Sequence, residues 1–92
     1  MLDKKNFYIN GKWVSPIEPR NYQVIDPSNE EVCAEISLGG KRDVDQAVIA
    51  AKKAFQTWAF TKKEERLALL EKLYAIYKKR WAEMAKLISL EM

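Results

Sequence analysis

From Leu67 to Leu90, apolar side chains recur every three or four residues, and the stripe they make is too wide to face water. Leu67, Leu70, Tyr74, Tyr77, Trp81, Met84 and Ile88 form its centre line, and Leu69, Leu73, Ile76, Leu87 and Leu90 broaden it. That pattern describes a helix buried along more than one side, not a coiled-coil seam with a polar remainder. Unbroken from Lys62 to Glu91, the helix would run about 45 Å. A compact chain of 92 residues has a radius of gyration of only about 12 Å. Either the helix breaks, with "KKRWAE" the expected place, or its far end packs on polypeptide outside this sequence.

A second helix precedes it. Val44, Ala47, Val48, Ala51, Ala54, Phe55 and Trp58 follow the same spacing and predict about 16–18 helical residues from Asp43. Asp43 and Asp45 suit the positive end of its dipole. Ala47, Ala50, Ala51 and Ala54 offer a low face that another element can approach. At Thr61, "TKKE" has the form of a capping box, with Thr61 as N-cap and Glu64 reaching back.

Before Gly39-Gly40 the period is two. In "FYINGKWV", apolar triplets flank Asn10-Gly11, a pair that tolerates positive φ at both turn positions and predicts a two-residue hairpin. Pro16 and Pro19 bracket a loop. Tyr22–Asp26 and Val32–Leu38 read as strands joined by a turn at Pro27–Glu30. In the second of them Val32, Ala34, Ile36 and Leu38 share the buried face, and Cys33, Glu35 and Ser37 the polar one. The expectation is α+β: a hairpin and short antiparallel strands over residues 1–40, then two long amphipathic helices over 41–92.

Composition closes off several functions. A 48% hydrophobic and 32% charged chain is globular, not disordered. The net charge of +3 is concentrated in the second half, where twelve basic and seven acidic residues interleave as on a solvated helix face. "YKKRW" could stack on single-stranded nucleic acid, but Tyr77 and Trp81 lie on the apolar stripe, which favours packing. One cysteine permits no internal disulfide, no apolar run is long enough to cross a membrane, and "MLDKKNFYING" has no signal-peptide core. A cytoplasmic protein is expected, with neither nucleic acid nor membrane as partner.

Chemistry is scarce. Histidine is absent, which removes the commonest general base and transition-metal ligand. Gly39-Gly40 is not a phosphate loop. Cys33 has no base beside it. Glu30-Glu31, Asp43/Asp45 and Glu64-Glu65 are accounted for by turns, dipoles and caps. No residue of this chain is expected to be catalytic.

Taken in order, "FYINGKWV", "VIDPSNEEV", "GKRDVDQAVIAAKKAFQTWAFTKKEERLALLEKL" and "AKLISLEM" resemble the N-terminal stretch of the aldehyde dehydrogenase superfamily, from about Phe7 to Met92. One departure stands out. Where that family's turn commonly reads Pro-Ser-Thr-Gly-Glu, this sequence has Pro27-Ser28-Asn29-Glu30-Glu31, and Asn29 is expected to take the left-handed position in place of glycine.

The resemblance implies that residues 1–92 are the leading part of a Rossmann-like, coenzyme-binding domain, and that the polypeptide continues past Met92. It implies a full-length enzyme that oxidises an aldehyde to a carboxylic acid with NAD or NADP, through a cysteine thiohemiacetal and thioester. That cysteine, the general-base glutamate and the dinucleotide contacts belong to segments downstream, and Cys33 matches none of them. It further implies a homo-oligomer, dimer or tetramer, and a sodium or potassium ion held by the carbonyls of Val24 and Ile25 and the carboxylate of Glu91, since hard oxygen ligands suit such a cation. The partner of this segment would be the remainder of its own polypeptide. Two other readings compete: a free-standing basic helical module for nucleic acid or an acidic protein, and a short product that pairs with itself through the apolar stripe.

Overall fold

The computed structural model describes residues 1–92. Five strands, β1 (Leu2–Lys4), β2 (Phe7–Ile9), β3 (Lys12–Val14), β4 (Asn21–Asp26) and β5 (Glu31–Ser37), precede three helices, α1 (Lys41–Trp58), α2 (Lys63–Lys79) and α3 (Trp81–Glu91). The strands form a three-stranded sheet in the order β1-β5-β4 and a separate two-stranded ribbon, β2-β3.

The ribbon is the hairpin expected at Asn10-Gly11. Both turn residues have positive φ, 54° and 74°, the type I′ geometry whose twist matches that of the flanking strands. Its register pairs Tyr8 with Trp13, and their rings meet edge to face with centroids 5.2 Å apart.

The larger sheet departs from expectation at β1, which runs parallel to β5 with Leu2 opposite Ala34 and Lys4 opposite Ile36. The strands are therefore not all antiparallel. Nothing local marks "LDK" as a strand. Its conformation comes from pairing along the edge of β5, reinforced by Lys5 Nζ lying 3.0 Å from Glu35 Oε2.

Between β4 and β5 the turn also differs. Glu30, not Asn29, takes the left-handed conformation, with φ 62°, at a cost of about 1–2 kcal/mol. Asp26 holds the turn, its Oδ1 accepting the N–H and hydroxyl of Ser28 at 2.9 and 2.7 Å, while its carbonyl accepts the Glu30 N–H at 2.8 Å. Asn29 spends its side-chain oxygen on the Glu31 N–H at 3.0 Å. The positive φ falls on the next residue.

Strand β5 does not keep a simple alternation. Val24 pairs with Ala34 but Ile25 with Val32, so Cys33 is the extra residue of a bulge. Cys33 is half-buried, not on an open polar face, and its thiol donates to the Val24 carbonyl at 3.4 Å. Ala34 and Ser37, three residues apart and so on opposite faces, are both buried.

Helix α2 starts one residue later than the capping-box reading. Lys62 is the N-cap, and its N–H donates to Glu65 Oε2 at 3.2 Å. The Thr61 hydroxyl turns the other way and donates to the Trp58 carbonyl at 2.8 Å, closing the end of α1. The long helical stretch breaks at Arg80 (φ −102°, ψ 12°), whose N–H is shared between the Ile76 and Tyr77 carbonyls at 3.1 Å each. The result is three helices where two were expected, with the break inside "KKRWAE" and no proline or glycine to cause it.

Few side chains are enclosed. Only Ala34, Ser37 and Asp43 are buried, so the chain has no apolar core of its own. The radius of gyration is 17.0 Å against about 12 Å for a compact chain of this length. The accessible surface is 8185 Å², whereas a folded monomer of this size exposes about 5,500 Å². On α2 the stripe stands open, with Leu70 62% and Tyr74 64% exposed. Helix α1 touches β2, and α3 lies against β4.

Candidate functional site

The most closely engaged polar group is the carboxylate of Asp43, three residues into the turn that opens α1. Its Oδ2 accepts the N–H of the N-cap, Gly40, at 3.0 Å, the carboxylate half of a capping box. Its Oδ1 accepts the Ile17 N–H at 2.8 Å, reaching into the proline-flanked loop. These two backbone donors, Ile17 first, hold its carboxyl below the ordinary 3.8. Beside it, Arg20 Nη2 donates to the Gly39 carbonyl at 3.0 Å, and Arg42 lies 3.9 Å from Glu18 at the surface. The Asp43–Ile17, Arg20–Gly39 and Arg42–Glu18 contacts tie the loop to the start of α1. They organise structure and leave no charged group poised over an open space.

Two other ion pairs have the same character. Arg80 grips Glu83 with Nε at 3.0 Å and Nη2 at 2.7 Å, the two-point geometry natural to guanidinium and carboxylate. The bond lowers the Glu83 carboxyl and raises Arg80. Lys5 is raised chiefly by its hydrogen bond to Glu35, and Asp26 is lowered by the Ser28 hydroxyl and N–H. In "YKKRW", the Trp81 ring meets Tyr77 edge to face at 5.5 Å, and Lys78 Nζ lies 5.4 Å from the centre of the Tyr74 ring.

The residues proposed for a cation, Val24, Ile25 and Glu91, lie on β4 and at the end of α3, two elements that pack together. The register shift between Val24 and Ile25 interrupts the regular ladder there. Against a cation, the Val24 carbonyl already accepts the Cys33 thiol, though a thiol is a weak donor. Nowhere do three or more His, Cys, Asp or Glu side chains converge in a way that could hold a metal ion. No helix is long and apolar enough to cross a membrane.

Sequence reading missed the reach of Asp43 to Ile17. The available signal was its place three residues after Gly40, where an acidic side chain turns back to the N-cap. The second contact spans 26 residues and has no local signature.

Without a catalytic arrangement, kinship is the stronger guide. The model of the aldehyde dehydrogenase family matches residues 13–92. Over its whole length the chain is 44% identical to a 3-succinoylsemialdehyde-pyridine dehydrogenase from a Pseudomonas species, covering 19% of that protein. It is 40% identical over 84 residues to malonate-semialdehyde dehydrogenase 2 of Bacillus thuringiensis strain Al Hakam, which takes in 91% of this chain and 17% of that one. The crystal structure of an aldehyde dehydrogenase from Bartonella henselae superimposes on the entire chain with a TM-score of 0.98 and 59% identity, again over 19% of its own length. The chain thus spans about a fifth of the length of these proteins. A family match over residues 13–92, together with a superposition that takes in every strand and helix, makes this chain a member of the aldehyde dehydrogenase family.

Proposed function

We propose that residues 1–92 are the N-terminal structural part of the coenzyme-binding domain of a longer aldehyde dehydrogenase. Residues 1–40 supply the hairpin and strands, and residues 41–92 the helices. The observation that carries this reading is the conjunction of family membership with an almost empty core: three buried residues in 92. Helices α1, α2 and α3 hold their apolar faces outward, and the rest of the domain is the polypeptide that covers them.

The activity of the longer enzyme is oxidation of an aldehyde to a carboxylic acid, with NAD or NADP accepting the hydride. None of its reacting groups comes from this segment. Two relatives carry semialdehyde dehydrogenase names, which makes semialdehydes the first substrates to try. The family context also supports a cytoplasmic homo-oligomer, dimer or tetramer. A sodium or potassium ion at the carbonyls of Val24 and Ile25 and the carboxylate of Glu91 rests on the same reading, supported by the break in the β4–β5 ladder between Val24 and Ile25 and the contact of α3 with β4.

The test is a coupled assay of the longer enzyme, following absorbance of the reduced nicotinamide with aliphatic, aromatic and semialdehyde substrates and with each dinucleotide. Aldehyde-dependent reduction is the expected result, and the 92-residue chain alone should give none. Failure of every substrate class with properly folded enzyme would overturn the assignment.

A further inference from the structure

We draw no further inference here: the strongest candidate, the apolar cleft inside the α2–α3 elbow lined by Leu73, Ile76, Tyr77, Met84 and Leu87, belongs to the face already assigned to cover by the rest of the domain, and nothing in the structure shows any other occupant for it.

Discussion

The carboxylate of Asp43 accepts the backbone N–H of Ile17 at 2.8 Å across 26 residues of sequence. One side chain thereby joins the proline-flanked loop, the Gly40 N-cap and the first turn of α1. Replacement by Asn keeps the shape but leaves one neutral acceptor oxygen for the two backbone donors, which Asp43 meets with separate oxygens. It also turns a donor NH2 toward the other N–H. Asp43→Asn should lower the thermal midpoint of the protein, and Asp43→Ala should lower it further, as followed by far-UV circular dichroism. Equal midpoints for all three proteins would show that the contact contributes nothing.

The same contact sets a pH dependence. The folded-state value of Asp43 lies below its ordinary 3.8, so the native state favours the charged form. Its contribution is fully present above the unfolded value and is lost as pH falls through the depressed folded one. The gap in midpoint between wild type and Asp43→Asn should hold steady from neutral pH down to about pH 5 and then close on further acidification. A gap that widens in acid would contradict the assignment.

Gly11 and Gly39 should answer differently to alanine. At Gly11 a Cβ would meet open space, but the backbone has φ +74°, so Gly11→Ala strains the main chain by about 1 kcal/mol. At Gly39 an added Cβ would sit 3.8 Å from the Phe7 ring, an ordinary contact with no positive φ. Urea unfolding should show a loss of about 1 kcal/mol for the first and little change for the second.

The outward-facing stripe should be visible in solution. Leu67, Leu70, Leu73, Tyr74, Trp81 and Ile88 are all exposed, and contiguous apolar surface of this extent binds hydrophobic dyes. The 92-residue chain should enhance anilinonaphthalene sulfonate fluorescence and sediment heavier than a monomer, and the longer enzyme should lose the dye enhancement. A compact, monomeric, dye-silent 92-residue chain would undercut the proposed function.

Leu73 supplies a direct comparison of the two settings. It is 61% exposed here, so at dilutions where the 92-residue chain is monomeric Leu73→Ala should change its stability by less than about 0.5 kcal/mol. Covered by the rest of the domain, the same substitution should cost about 2–5 kcal/mol. Equal small effects in both proteins would show that the residue faces solvent throughout.

What could be read directly from the residues was most of what neighbours in sequence set. Asn10-Gly11 specified its hairpin because positive φ at both positions is a local backbone requirement. The three- and four-residue spacing announced the helices, and the length of the stripe against the size of the chain left two outcomes, a break inside "KKRWAE" or packing on further polypeptide, of which the break occurs, at Arg80. Tertiary contact, together with competition between nearby hydrogen-bond partners, decided the rest. Strand β1 exists because β5 offers it an edge, Cys33 is tucked against Val24 because a bulge displaces it, and Glu30 carries the positive φ because Asn29 is engaged with Glu31. Asp43 grips Ile17 only once the loop has folded back over α1. Such contacts join residues far apart in the chain, or settle a competition between nearby hydrogen-bond partners, and neither leaves a periodic trace in the sequence. The apolar stripe was legible as a surface that must be covered, but its cover is a matter of packing against other polypeptide, which no pattern within the stripe can specify.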